Sequence, residues 1–471
     1  MREVLLRTFR PLVVLLLLAG LAACSPTAGR EQADILVSGG MVVTMDGSRR
    51  VLERGAVAIR GEHILDVGPD GELRQRYAAA RTLNAEGTFV LPGLVNTHTH
   101  APMVLFRGIA NDVALMDWLQ KYIFPAEAAS VTPDFVEAGT ALACLEMIRS
   151  GTTTYADMYY FEEQVAAVTE KAGMRAVLGE TIIGSPSPDS RTPEQALAYT
   201  ERFIRRWKGN TLITPAVSPH APYTNSAATL KACKILADRY GVPLTIHVSE
   251  TRDEVRQVQQ TYGRTSTQWL DSLGMLGPLV LFCHVVWPTE EDLALIQARG
   301  VGVSHNPESN MMLASGAAPV VRMLALGIPV GLGTDGAVSN NNLDMFEAMD
   351  FAGKLHKLVN MDPAAITAER ILEMATLGGA RVLGLEREIG SLEAGKKADL
   401  ILVNGETEKA IPLYDPYRQL VYSLKGNDVQ ASIINGKVIM LEGRALTLDE
   451  KLVRQKARDF GERIRNSASI Q

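Results

Sequence analysis

Between residues 91 and 336 the chain alternates two kinds of apolar pattern. One is a short apolar run of strand length: GLVNTHTH, TTTYADM, RAVLGET, LITPAVSPH, PLTIHVSE, LVLFCHVV, GVGVSHNP and PVGLGTDG. The other is a longer stretch with helical period. In DFVEAGTALACLEMIRS, Phe135, Ala138, Leu142, Leu145 and Ile148 make one stripe, the spacing of a helix that covers a core. Thr132-Pro133-Asp134 opens this segment and Gly151 closes it, the usual start and stop chemistry. TPEQALAYTERFIRRWKG and PTEEDLALIQARG are punctuated alike. Eight strand-like runs, each followed by a helix, predict an α/β fold of the (β/α)8 TIM-barrel type rather than a doubly wound sheet.

The flanks have another texture. DILVSGGMVVTM, GAVAIRGEHILDVG and TLNAEGTFVLPG precede the alternating region, and GSLEAGKKADLILV and VQASIINGKVIM follow it. Short strands with glycine turns at both ends predict a small β-sandwich domain built from both termini. The expected division is a β-sandwich at 34–90 and 388–445, a barrel at 91–387 and a C-terminal helix at 446–471.

The first residues change the picture of where the protein works. MREVLLRTFR carries Arg2, Arg7 and Arg10, then PLVVLLLLAGLAA leads to Cys24. A basic segment before a short apolar run is an export signal, and it falls short of the roughly 20 residues of a comfortable membrane span. LAAC, Leu21 to Cys24, resembles the bacterial lipoprotein cleavage box. That resemblance predicts removal of residues 1–23, acylation of Cys24, a linker over 24–33, and a membrane-anchored protein facing the periplasm or cell exterior. The remaining cysteines, Cys144, Cys233 and Cys283, sit in apolar stretches with no zinc or disulfide spacing, as buried small hydrophobes do. The formal net charge of −6 provides no basic footprint for nucleic acid. The expected partner is a small molecule, and a homo-oligomer is left open.

Barrel enzymes place their chemistry at the C-terminal ends of the strands. Those ends carry His98, His100, Asp157, Glu180, His220, His247, Glu250, His284, His305 and Asp335. Six of the eight histidines are among them; His63 lies in the small domain and His356 on a helix, as a surface or packing residue. Residues i and i+2 of a strand share a face, so His98 and His100 both point into the mouth. Imidazole with carboxylate suits one divalent cation, zinc first, with iron, nickel or manganese compatible. No lysine stands at a strand end, which favours a mononuclear site held by His98, His100, His247 and Asp335. Such a cation brings bound water toward a pKa of about 7. Asp157 either supports a metal-bound histidine or caps its strand, and His305 is expected beyond the ligands. Gly331 to Gly336 matches a dinucleotide fingerprint, but it ends the eighth run and Asp335 occupies its turn, so a dehydrogenase is not indicated.

LPGLVNTHTH, HVSE, the CH of the sixth run, SHNPESNMMLASG and GLGTDGAVSNNNLDMF together resemble the amidohydrolase superfamily. Within it the chain is most similar to the S-adenosylhomocysteine/5′-methylthioadenosine deaminases, from about residue 34 to 445. The resemblance implies deamination of an adenine nucleoside by attack of metal-bound hydroxide at C6. It implies that Glu250 shuttles a proton to the ring nitrogen, that His284 positions and polarises the water, and that Asp335 is ligand and general base. Glu127 would take the ribose hydroxyls, His220 the purine ring, and Trp118 would lie in the loop that roofs the pocket. Arg191 would meet the carboxylate of a homocysteine tail. Glu180 stands where relatives carry a second arginine, which implies a preference for 5′-methylthioadenosine or adenosine over S-adenosylhomocysteine. Two alternatives remain: an amidohydrolase acting on a guanine-like or triazine ring, and a lipoprotein that kept the barrel without catalysis. The retained set His98, His100, His247, Glu250, His284 and Asp335 argues against the second.

Overall fold

Eight parallel strands form the centre of the molecule in a computed structural model that describes residues 30–109, 112–113 and 117–466. The expected signal and Cys24 lie outside the described residues. Five strands come first: β1 (Glu31–Val43), β2 (Val51–Arg60), β3 (His63–Pro69), β4 (Tyr77–Asn84) and β5 (Thr88–Pro92). The barrel strands follow: β6 (Leu94–Thr99), β7 (Thr152–Tyr159), β8 (Arg175–Ile182), β9 (Ile213–Pro219), β10 (Leu244–Val248), β11 (Val280–His284), β12 (Gly302–His305) and β13 (Val330–Leu332). The chain then returns to the small domain with β14 (Leu400–Asn404), β15 (Val429–Ile434), β16 (Lys437–Leu441) and β17 (Arg444–Ala445).

Each barrel strand pairs in parallel with the next, from β6 round to β13. Side chains close the seam between β6 and β13. Asn96 Nδ2 donates to Thr334 Oγ1 at 2.7 Å, and Thr334 N donates to Asn96 Oδ1 at 3.0 Å. Asp335 N donates to the His98 carbonyl at 2.9 Å, which sets Asp335 against the metal-ligand strand. Gly333 permits this approach: a Cβ there would lie 2.4 Å from Asn306 Oδ1 and 3.0 Å from His98 N. The glycines of GLGTDG therefore serve barrel closure.

The helices begin as their sequences suggest. Thr132, Thr192 and Thr289 cap helices Pro133–Arg149, Pro193–Trp207 and Glu290–Arg299, each accepting a backbone N–H. Such caps contribute about 0.5–2 kcal/mol each. Helix Glu450–Asn466 ends the described chain and packs on helix Pro133–Arg149, with Phe460 against Phe135 at 5.7 Å between ring centroids.

The small domain is one nine-stranded mixed sheet. Residues from both ends of the chain bury one core, with Ile35, Val37, Val57, Ile59 and Ile64 against Leu400, Leu402 and Ile433. The sheet starts at Glu31, inside the stretch expected as linker, because Glu31–Ala33 pair with Tyr77–Ala79. Cys144, Cys233 and Cys283 are free and buried.

Candidate metal centre and active site

Four imidazoles and a carboxylate converge at the C-terminal mouth. His98 and His100 come from the end of β6, His247 from β10, His284 from β11, and Asp335 from the turn after β13. His98 Nε2 is 3.2 Å from His247 Nε2 and 3.5 Å from Asp335 Oδ1; His100 Nε2 is 3.4 Å from the same oxygen. Donors bonded at about 2.0–2.1 Å to one tetrahedral cation lie about 3.3–3.4 Å apart; these three separations suit such an ion, and the donors form two overlapping groups, His98 with His100 and Asp335 and His98 with His247 and His284. The far nitrogens agree. His100 Nδ1 lies 2.7 Å from the Met158 carbonyl and His247 Nδ1 2.7 Å from the His220 carbonyl. A carbonyl only accepts, so both rings carry their proton on Nδ1 and turn a bare Nε2 inward.

Charge in the site follows from burial. Burial drives His98 and His247 well below the ordinary histidine range. Burial works against ionised Asp335, yet His98, His100 and His284 hold it at about 2. Ser309 Oγ donates to Asp335 Oδ2 at 2.7 Å, which fixes the oxygen facing away from the ligand histidines.

His284 and Glu250 occupy the other side of the cluster. His284 Nε2 is 3.9 Å from both Glu250 Oε2 and Asp335 Oδ2, and its Nδ1 is 2.9 Å from Asn310 Oδ1. Burial lowers His284, but the carboxylates of Glu250 and Asp335 outweigh it and raise its pKa. Burial raises Glu250, against the pull of His284. A buried acid able to hold a proton beside a cation site is what proton transfer to a ring nitrogen requires. Ser249, His284 and Asp335 all have positive φ, at 53°, 75° and 65°. Such non-glycine geometry costs on the order of 1–3 kcal/mol and here aims catalytic groups.

Around them lies a cavity. His100, Trp118, Glu127, His220, His247, Glu250, His284 and Asp335 all line it. Burial raises Glu127 to about 7 and, with the nearby His100, lowers His220 to about 4. A second depression, lined by Ile183, Ser185 to Pro188 and Arg191, shares Phe124, Glu127 and Tyr160 with the first. Arg191 is exposed on this outer depression and does not line the metal cavity.

Other strand-end residues lie elsewhere than the sequence suggests. Glu180 does not enter the mouth; its neighbour Thr181 does. Glu180 faces the helical layer, where Oε2 accepts from Glu162 N at 3.1 Å and burial, then Asp189, drives its pKa well up. Glu180 therefore stands outside the substrate cavity and does not meet a homocysteine carboxylate there. Asp157 supports no metal-bound histidine; it accepts from Thr99 Oγ1 and Ala101 N at 2.7 and 2.6 Å and so anchors the turn that carries His100. His305 also turns away, and its Nε2 lies 2.9 Å from Nε2 of His356. His356 is no surface residue, being 1% exposed.

Sequence reasoning missed the groups that hold the catalytic ones. Glu254 accepts from Ser249 N at 2.8 Å and Glu250 N at 2.6 Å, while Thr251 caps its helix. The T-x-x-E spacing of a capping box was the available signal. Ser309 and Asn310 stand within SHNPESNM, but their partners come from distant strands.

The chain is similar to known proteins along most of its length. Residues 89–439 match the amidohydrolase family, and residues 55–80 match a bacterial imidazolonepropionase-like composite domain. A 5-methylthioadenosine/S-adenosylhomocysteine deaminase of Syntrophobacter fumaroxidans is 49% identical over 437 residues, covering 93% of this chain and all of that protein. A 5′-deoxyadenosine deaminase of Methanosarcina mazei is 43% identical, covering 92% of this chain and 98% of its own. The crystal structure of an adenosine deaminase from Xanthomonas campestris, with bound zinc, superposes with a TM-score of 0.91 at 39% identity, covering 93% of this chain and 99% of its own.

Proposed function

The chain belongs to the amidohydrolase family, and from that premise we propose that it hydrolyses the 6-amino group of adenine nucleosides, releasing ammonia and a 6-oxopurine nucleoside. The observation that carries this reading is the site itself: Glu250 and His284 line one cavity with His100, His247 and Asp335, and His98 Nε2 lies 3.2 Å from His247 Nε2 and 3.5 Å from Asp335 Oδ1. His98, His100, His247 and Asp335 would hold that ion, and zinc is the metal proposed. When bound, it lowers the pKa of water toward about 7 and so supplies the nucleophile.

The chain's own groups do the rest. Glu250, whose carboxyl burial pushes above its ordinary value, gives a proton to ring nitrogen N1 as water adds at C6. Asp335 and His284 orient that water and take its proton. The proton then passes to the amino group, which leaves as ammonia while the C6 hydroxyl gives its remaining proton back to Glu250 and becomes the carbonyl. Moving such protons by a positioned side chain contributes about 10²–10⁴-fold to rate.

Glu127 sits where the metal cavity meets the outer depression. A ribose held there leaves the purine inward with His220 and Trp118 and sends the 5′ substituent outward past Tyr160. The outer lining mixes apolar Phe124, Tyr160, Ile183, Pro186 and Pro188 with polar Ser185 and Ser187, and Arg191 is its single cation. This suits 5′-deoxy, 5′-methylthio and homocysteine-type tails. The test is ammonia release and the absorbance change of the purine with 5′-methylthioadenosine, 5′-deoxyadenosine, adenosine and S-adenosylhomocysteine. Absence of ammonia from all four with zinc-loaded protein would refute the assignment.

The N-terminal reading is proposed beside this. Arg2, Arg7 and Arg10 before an apolar run ending in LAAC support export and lipid anchoring at Cys24. Cys24→Ser should move the protein from the membrane to the soluble fraction; wild-type protein found soluble in the cytoplasm would exclude the anchor.

A further inference from the structure

Glu180, shut out of the mouth, is one of three acids gathered on a single turn. The turn runs from Tyr159 to Glu162, between β7 and the helix Glu162–Ala172. The first N–H groups of a helix have no partner within it, and here side chains take those of the turn. Glu162 Oε1 accepts from Tyr159 N at 3.0 Å, Asp189 Oδ2 from Phe161 N at 2.8 Å, and Glu180 Oε2 from Glu162 N at 3.1 Å. Phe161 has a φ of 57°, a conformation that a bulky residue keeps only where its surroundings enforce it.

Two of these acids come from outside the turn. Glu180 is buried in β8. Asp189 stands in the segment whose Ser187, Pro188 and Arg191 wall the outer depression, and its Oδ1 accepts from Ser187 Oγ at 3.0 Å. The carboxyls of Glu180 and Asp189 share a hydrogen bond. Two ionised carboxylates have no proton to share, so one of them carries it. Burial, then the charge of Asp189, drives the pKa of Glu180 well up, which puts the proton there. Its Oε2 already accepts from the turn, and its Oε1 meets no other donor among the described residues. Tyr160, in the same turn, lines both the metal cavity and the outer depression. The acid pair therefore joins the Tyr160 side of the outer depression to the side formed by Ser187 to Arg191.

We propose that Glu180 and Asp189 are positioning residues for the 5′ substituent: their hydrogen-bonded pair ties the Tyr160 turn to the segment carrying Arg191 and so sets the width of the outer depression. Neither acid touches the substrate. The sequence suggested Glu180 as a direct opponent of a homocysteine tail; its place behind the cavity gives it the two walls to hold instead. The inference rests on the functional reading given above, in which the 5′ substituent runs outward past Tyr160.

The test compares two substitutions in the full, zinc-loaded chain. Glu180→Gln can still accept from Glu162 N and donate to Asp189, whereas Glu180→Leu can do neither. In Glu180→Leu, KM for 5′-methylthioadenosine should rise about tenfold at unchanged kcat, and KM for adenosine by no more than about twofold. Glu180→Gln should stay within about twofold of wild type for both nucleosides. Hydrogen exchange at the Phe161 and Glu162 amides, read without substrate, should quicken in the leucine variant and not in the glutamine variant. An equal rise in KM for both nucleosides, a fall in kcat at unchanged KM, or a glutamine variant as impaired as the leucine variant overturns the proposal. If Glu180→Leu fails to fold, Asp189→Ala, at a half-buried position, should show the same split between nucleosides, and its absence there overturns the proposal equally. Wild-type protein that releases ammonia from neither nucleoside overturns the functional reading and the tail role with it. Unaltered amide exchange in an active Glu180→Leu overturns the clamp alone, which separates the two failures.

Discussion

The molecule buries two groups of histidines within one barrel. His98, His100, His247 and His284 face the mouth, where their inward nitrogens meet one another and Asp335. His305 and His356 lie behind the strand layer and meet each other through Nε2, and among the described residues neither Nδ1 has a hydrogen-bond partner. Both groups are buried and rich in nitrogen. The first has nitrogens aimed at one region beside a carboxylate, and backbone carbonyls hold the tautomers of His100 and His247. The second is a closed pair in which one ring donates to the other. Convergence on a common point with a compensating anion makes a cation site; histidine content alone does not.

The largest contrast is in metal. His98→Ala or Asp335→Ala should remove the cation and abolish turnover, while His356→Asn should keep about one ion per chain. Metal analysis of the purified variants checks this, and loss of metal from His356→Asn would erase the distinction between the groups.

Next in size is Glu250→Gln. It leaves the ligands untouched, so metal content should stay at wild-type level while kcat falls about 10²–10⁴-fold. Near-wild-type kcat would move the proton transfer to another group.

The pair can be separated from the metal site by pH. Burial holds His356 at about 4 and His305 well below its usual range, against about 6.5 unfolded. Below 6.5 the unfolded chain binds more protons than the folded one, so this contribution is full above 6.5 and lost as pH falls toward 4. His356→Asn should show a shallower loss of stability across that window by denaturant titration. An unchanged slope would mean that the pair takes up no differential protons.

The smallest effect belongs to Arg191. It is exposed, so Arg191→Ala should lower kcat/KM for S-adenosylhomocysteine only a few-fold, as expected of a screened charge contact. The value for 5′-methylthioadenosine should be unchanged. A comparable drop for both substrates would deny Arg191 a role in tail recognition.

The alternation of strand-like and helical patterns by itself determined the barrel, because each period carries its own burial geometry. The grouping of histidines at run ends marked the catalytic face, since strand C-termini share one rim. His98-Thr99-His100 placed two ligands together by local geometry alone. Period two states which residues share a face but not which face looks inward, so Glu180 was put in the mouth when Thr181 belongs there. Nothing local pairs His305 with His356, which stand 51 residues apart, or Asn96 with Thr334 across the seam. The same holds for Cys283 against His98, 185 residues away. These contacts arise when the strands close into a ring and helices cover it, and only then is it decided which polar atoms meet, which are buried, and which nitrogen carries a proton.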